Sequence, residues 1–254
     1  MKDKKTSEKK SILYKALSIA TALLLWQLVA LLVDSDILLV GPWQVLKRLF
    51  FIWREDGFLT AVGFSLLHIF GGFLLGIVLG LILACLAARY KAVKIFLWPY
   101  MACIKSVPVA SFVVICLVWL SPARLSVFIS FLIVLPIMYQ NTLTAIEGLD
   151  KSLTDLAKLE KLSYPRALKE IFLPSIAPQI KSSTSLCAGI AWKAGIAAEV
   201  IGTPHFSIGR KLYLAKTYLA TDDLLAWTVI VVLVSILFEK LFVLVIGKIL
   251  GESD

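Results

Sequence analysis

Residues 58–88 read FLTAVGFSLLHIFGGFLLGIVLGLILACLAA and contain no Asp, Glu, Lys or Arg. A helix needs only about 20 apolar residues to cross the hydrocarbon core of a bilayer, so this stretch predicts a transmembrane helix. Three of its glycines, Gly72, Gly76 and Gly80, recur at every fourth residue. That spacing places small residues in a stripe along one helix face, where a second helix can pack closely.

The rest of the chain is similarly apolar. Of its 254 residues, 59% are hydrophobic and 17% are charged, and the mean hydropathy is +0.89. A soluble domain is nearer 45–50% apolar and about 25% charged, so the chain is expected to be a membrane protein.

Its four cysteines lie in apolar runs without C-x-x-C spacing, and its two histidines are far apart. Neither a disulfide scaffold nor a metal site is expected.

Six segments are long and apolar enough to span a membrane, and together they predict an all-α polytopic fold. They are residues 11–33, 58–88, 95–120, 125–146, 180–201 and 224–250. We expect one transmembrane domain over residues 11–254, preceded by a polar cytoplasmic tail over residues 1–10. The third span contains Pro99 and Pro108 and is expected to be kinked or broken.

The net charge of +9 is distributed unevenly between the loops. With the N-terminus inside, 16 Lys and Arg residues fall in cytoplasmic segments and seven fall outside. The positive-inside rule therefore predicts that both termini face the cytosol. Because the basic residues follow this topology, the charge does not indicate a nucleic-acid partner.

The first outer segment contains a short amphipathic sequence, GPWQVLKRLFFIWRED, over residues 41–56. Trp43, Leu46, Phe50 and Trp53 fall on one face of a helix that begins at Pro42. This pattern predicts an interfacial helix that contacts membrane lipid through its tryptophans. A helix within a soluble loop is the alternative that the sequence leaves open.

The longest cytoplasmic segment, residues 148–179, reads GLDKSLTDLAKLEKLSYPRALKEIFLPSIAPQ. An S-x-x-D start at Ser152 predicts a first short helix. Residues 163–165, Ser-Tyr-Pro, interrupt the chain, and Pro165 suits the first turn of a second helix. Pro174 is expected to end that helix. The physics alone leaves two interpretations open: a docking site for a soluble partner, or a connector on the membrane surface.

The segment resembles the cytoplasmic "EAA" loop of ABC-importer permeases, E-A-A-x3-G-x9-I-x-L-P. Residues 155–157, Asp-Leu-Ala, stand at the E-A-A positions, and Lys161 stands at the glycine. Residues 171–174, Ile-Phe-Leu-Pro, match the end of the motif. The sequence departs from the motif at three positions: Asp155 stands in place of Glu, Leu156 in place of the first Ala, and Lys161 in place of Gly.

Other stretches resemble the nitrate/sulfonate/taurine-type subfamily of these permeases. Residues 41–46, Gly-Pro-Trp-Gln-Val-Leu, are similar to its P-S-P-x-x-V-L stretch. Residues 191–202, with Ala-Trp at their start and Ala-Ala-Glu-Val-Ile-Gly at their end, are similar to its A-W-x4-A-A-E-M-[IL]-G signature. Residues 207–209, Ser-Ile-Gly, stand where that subfamily has G-L-G.

The resemblance implies the type I importer permease fold in a bacterial inner membrane, with a coupling loop over residues 150–174 that docks on the ATPase. The residues it assigns to this docking are Asp155, Leu156, Ala157, Lys161, Leu162, Ile171, Leu173 and Pro174. It implies three partners: a dimer of ATP-binding ABC subunits, a second permease copy in a homodimer, and an extracellular or periplasmic substrate-binding protein. ATP and Mg are then bound by the ATPase subunits. This chain has no G-x-x-x-x-G-K-[ST] loop, and we expect it to bind no cofactor or metal and to contain no catalytic residue.

Five residues within the apolar segments are predicted to lie at the substrate pathway. They are Lys105, Pro108, Trp192, Lys193 and Glu199. An ionisable residue at the centre of a span costs about 2.5–3.5 kcal/mol on insertion scales, so each charge requires a reason. Lys105 either faces the pathway and attracts an anion or extends to the cytoplasmic interface. Lys193 and Glu199 are six residues apart and form no pair on an unbroken helix. Trp192 is expected to pack rather than to gate.

Two other classes of protein fit the sequence less well. A secondary transporter driven by an ion gradient would show internal repeats with discontinuous helices, and residues 11–120 and 125–250 show no convincing repeat. A membrane-embedded enzyme would need clustered His, Asp or Glu within the spans, and these are missing. We therefore predict the permease subunit of an ATP-driven importer for a small nutrient. Lys105 and Lys193 favour an anion such as a sulfonate, nitrate or bicarbonate.

Overall fold

The computed structural model describes residues 2–160 and 162–249, which form eleven α-helices and one π-helical turn, with no strand among them. The helices are α1 (Lys2–Val33), α2 (Pro42–Ile52), α3 (Phe58–Arg89), α4 (Lys91–Ser106), α5 (Val109–Cys116), α6 (Pro122–Glu147), α7 (Lys151–Leu159), α8 (Tyr164–Ala167), α9 (Leu173–Gly202), α10 (Ile208–Thr217) and α11 (Thr221–Ile249). The π-helical turn, Leu168–Phe172, joins α8 to α9. The predicted all-α class is confirmed.

Five helices are long and apolar enough to cross a membrane: α1, α3, α6, α9 and α11. Helices α4 and α5 are apolar and long enough only when taken together, and they meet at a bend of 100° across a short break. If the bent pair is one span, the number of spans is six. The break falls at Val107 and Pro108, whereas Pro99 lies inside α4 without ending it. The predicted interruption of the third span therefore occurs at Pro108, where the ring fixes the backbone and removes one N–H donor.

Two helices extend beyond the predicted spans. Helix α1 begins at Lys2, ahead of the span predicted from residue 11, so the polar tail is helical. Lys, Ser and Glu are tolerated in helices, and no Gly or Pro interrupts this tail. Helix α9 begins at Leu173, seven residues ahead of the span predicted from residue 180.

The chain packs into two compact units, and the expected single domain over residues 11–254 stays a prediction. The first unit comprises Met1–Leu59 and Lys211–Val229. In it the indole Nε1 of Trp26 donates to the carbonyl oxygen of Val40 at 3.1 Å, and the hydroxyl of Thr221 donates to that of Ile37 at 2.5 Å. These bonds fasten the loop after α1.

Helix α2 of this unit has one buried and one exposed apolar face. Val45 and Ile52 are buried, whereas Trp43 and Phe50 are each 64% exposed. Arg48 binds both Glu55 and Asp223, and the hydrogen bond to Asp223 raises the pKa of its guanidinium above the usual range. The exposed Trp43 and Phe50 are compatible with both interpretations, an interfacial helix and a helix within a soluble loop, and the contact with lipid stays a prediction.

The second unit comprises Thr60–Arg210 and Ile230–Asp254, and its helices pack along the predicted glycine stripe. A Cβ atom added at Gly72 would lie 2.0 Å from the carbonyl oxygen of Val127 in α6. At Gly76 and Gly80 it would lie 2.7 Å from the Cβ atoms of Val134 and Met138. The stripe therefore lets the backbones of α3 and α6 approach to distances that no other residue permits.

Candidate functional site

The predicted coupling segment contains a first short helix, α7, as the sequence indicates, and a second helical stretch that begins at α8. In α7 the apolar side chains of Leu156 and Leu159 are 45% and 79% exposed, while Leu162, after the helix, is half-buried. Asp155 is exposed on the same helix. Lys161 and the side chain of Ala157 lie outside the described residues. The segment thus presents two exposed leucines at its surface.

Helix α8 begins where the Ser-Tyr-Pro sequence was expected to restart the chain. The carbonyl oxygen of Ser163 accepts from the backbone N–H groups of Arg166 at 3.0 Å and Ala167 at 2.9 Å. Ala167 is buried, which anchors this turn.

The prediction that Pro174 ends the second helix is wrong. Pro174 lies in the first turn of α9, and the chain is helical from Tyr164 to Gly202. A proline is tolerated in the first turn because its missing N–H would have no helical partner there. The π-helical turn before it contains Ile171 and provides the change of hydrogen-bond register. Leu173 and Pro174 are exposed at the junction.

Lys105 lies in the last turn of α4, three residues before Pro108. Its side chain is exposed and lines a cavity of about 210 Å³ formed by α4, α5, α6 and α9. It also lines a second cavity of about 290 Å³, together with Lys94 and Gln140. The structure thus places Lys105 beside open space within the second unit.

Trp192 and Lys193 point to different surroundings on α9. Trp192 is fully buried, and its Nε1 donates to the carbonyl oxygen of Val231 at 2.9 Å. Its ring packs on Phe238 with centroids 5.8 Å apart. Lys193 is exposed. Trp192 therefore packs, as expected, whereas a pathway role for Lys193 stays a prediction.

Glu199 forms a buried hydrogen-bond cluster rather than a pair with Lys193. Its side chain is fully buried on α9, which is unbroken between the two residues. One carboxylate oxygen, Oε2, accepts from the Ser65 hydroxyl at 2.6 Å and from the Gly209 N–H at 3.3 Å. The Ser65 hydroxyl in turn accepts from the Ile208 N–H at 2.9 Å. Within the described residues Glu199 is thus an acceptor for the first turn of α10.

This cluster explains the glycine at position 209. A Cβ atom there would lie 2.3 Å from the Cβ of Glu199 and 2.5 Å from the backbone nitrogen of Val200. The sequence marked Glu199 and Gly209 as parts of a signature but did not indicate Ser65. Ser65 is separated from Glu199 by 134 residues. In the sequence it is marked only as a polar side chain within an apolar run.

Comparison with known proteins places these features in a transport family. The family described as "Binding-protein-dependent transport system inner membrane component" matches residues 76–251. The putative aliphatic sulfonates transport permease protein SsuC of Bacillus subtilis is 27% identical over 70% of this chain and 65% of its own length. The taurine transport system permease protein TauC of Escherichia coli is 24% identical over 87% of this chain and 83% of its own length. The nitrate import permease protein NrtB of Synechococcus elongatus is 24% identical over 70% of this chain and 68% of its own length.

Proposed function

This chain belongs to the family of binding-protein-dependent transport system inner membrane components, and we propose that two copies of it form the channel of an ATP-driven importer for a small anion. The observation that carries the proposal is the family match over residues 76–251, which includes the coupling segment and Glu199. The chain is a transport permease subunit and a multi-pass membrane protein, and it has five or six apolar spans. Membership in this family argues against the alternative of a transporter driven by an ion gradient.

The proposed assembly has two ATP-binding subunits on the cytosolic side and a substrate-binding protein outside. The ATPases dock on residues 150–172, where the exposed Leu156 and Leu159 provide apolar area for the contact. ATP binding closes the two ATPases, the coupling segments transmit this motion, and the spans change from inward-facing to outward-facing. The ATP and Mg belong to the ATPase subunits in this assembly.

The proposed substrate is an anion such as a sulfonate, nitrate or bicarbonate. Two observations support it: the relatives named above are permeases for aliphatic sulfonates, taurine and nitrate, and Lys105 places a positive charge beside a cavity. Uptake of these anions into vesicles that contain the permease, its ATPase and its binding protein tests the proposal. We expect uptake of an anion from this group, and it should require ATP on the ATPase side.

The proposed orientation places both termini and residues 150–178 in the cytosol and residues 34–57 and 202–222 outside. Single cysteines at Ser152 and His205, both exposed, should therefore react with a membrane-impermeant thiol reagent from opposite sides. The measurement needs a background without the exposed Cys85 and Cys103. Reaction of both positions from the same side would contradict the six-span arrangement.

A further inference from the structure

Three cavities adjoin one another along α4. The cavity of about 210 Å³ at the α4–α5 break shares Lys105 with the cavity of about 290 Å³. The latter shares Lys94 and Trp98 with a third cavity of about 600 Å³ near the start of α4. Together they form a row of neighbouring cavities from Val109 back to Arg89, all within the second unit.

The charges along this row are mostly positive. Four basic residues line the three cavities: Arg89, Lys91, Lys94 and Lys105. The one acidic residue that lines them is Glu147, which binds Lys94 with 2.5 Å between Nζ and Oε1. A concave surface with an excess of one charge concentrates ions of the opposite charge, so the row favours anions.

The cavity at the break combines one cation with an apolar wall. Eleven residues line it, and Lys105 is the only polar one. Its ammonium makes no ion pair with any residue that the structure describes. A volume of about 210 Å³ exceeds the roughly 150 Å³ of an apolar cavity that holds benzene, so a small organic ligand fits. Apolar walls with one well-placed charge are typical of sites for small amphiphilic ligands.

We propose that this cavity is a subsite for a small organic monoanion, an alkylsulfonate or alkylcarboxylate of about the size of benzene. Lys105 binds the acidic group, and the apolar side chains from α5, α6 and α9 enclose the alkyl part. The inference rests on the proposed import of an anion and narrows its chemical class. A bare inorganic anion such as nitrate would gain the same contact with Lys105, but it would lose hydration against the apolar wall without an alkyl group to pack there.

A lysine in the last turn of a helix is favourable without any ligand, because it interacts with the negative end of the helix dipole. A cation at a cavity wall attracts anions in either role, so charge selectivity establishes only that Lys105 faces the cavity. Protection of the cavity wall by an organic anion distinguishes a binding role from a structural one.

The test labels a cysteine in the cavity wall of the full-length permease, with its ATPase, in membrane vesicles. Val109→Cys is made in a background without Cys85 and Cys103. Its reaction with sulfonatoethyl methanethiosulfonate, itself an organic sulfonate, is compared with that of the cationic trimethylammonium reagent. We expect the sulfonate reagent to react faster, and Lys105→Met to lower the rate ratio about tenfold, which corresponds to about 1.4 kcal/mol.

Lys105→Arg is the matched variant, because it keeps the charge and should keep the ratio. Val118→Cys, which lies outside the three cavities and is 74% exposed, should show no dependence on Lys105. The proposal is overturned if Lys105→Met leaves the ratio unchanged, if Lys105→Arg lowers it equally, or if Val109→Cys reacts with neither reagent.

A protection experiment tests the chemical class. Sodium ethanesulfonate should slow the labelling of Val109→Cys, whereas nitrate at equal ionic strength should not. Equal protection by nitrate would overturn the assignment to organic anions. Labelling requires no ATP hydrolysis, so the two proposals can fail separately. Loss of selective labelling while ATP-driven uptake persists would contradict the subsite. Selective labelling without ATP-driven uptake would contradict the importer function.

Discussion

Replacing Leu156 by Asp should abolish transport while the permease still inserts into the membrane. Leu156 is 45% exposed on α7 and stands at the second position of the E-A-A motif. If it packs in an apolar groove of the ATPase, a carboxylate there would be buried without a partner, which costs several kcal/mol. Substrate-stimulated ATP hydrolysis by the reconstituted complex should then fall to its unstimulated rate.

Ser152→Asp provides the matched control for this variant. It adds the same charge to the same helix, but in the first turn, where a negative charge is favourable. Ser152 is exposed, and stimulated ATP hydrolysis should persist in this variant. Normal stimulation in Leu156→Asp would contradict the docking role of α7, as would equal loss in both variants.

Replacing Gly72 by Ala should destabilise the permease itself. The added Cβ would lie 2.0 Å from the carbonyl oxygen of Val127, so α3 and α6 would have to separate. Overpacking costs about 1–3 kcal/mol when side chains can adjust, and here the obstacle is backbone. In a bilayer close packing is a main source of helix association, so the loss is not offset by hydrophobic burial. The melting temperature of the detergent-solubilised protein should fall by several degrees.

Gly71→Ala is the control at the neighbouring position. A Cβ there meets no atom within 4 Å. In an exposed helix position Ala is favoured over Gly by about 0.5–1 kcal/mol, so this variant should match or exceed the stability of the original protein. If both alanine variants melted alike, the close approach of α3 and α6 would not be a source of stability.

Local patterns in the sequence predicted the helices and their close contacts. The fourfold spacing of Gly72, Gly76 and Gly80 depends only on helix geometry, and it identified the face that packs on α6. The Ser-Tyr-Pro interruption likewise placed the start of α8, because its backbone preferences act over a few residues.

Features that depend on distant partners were not predictable. Ser65 meets Glu199 only because α3 and α9 pack together, and no spacing rule links residues 134 apart. Pro174 was expected to end a helix, because a proline signal carries no information about the π-helical turn before it. The row of cavities has lining residues from five helices, so Lys105 alone could not distinguish a pathway cation from a lysine at the interface.

The central claim is that ATP hydrolysis on partner subunits drives import through this chain, and one uptake measurement tests it directly. Vesicles containing the permease, its ATPase and its binding protein are supplied with an alkylsulfonate, and ionophores are added to collapse all ion gradients. We predict uptake that requires ATP on the ATPase side and persists with the ionophores. Uptake that proceeds without ATP and stops when the ion gradients collapse would contradict the account.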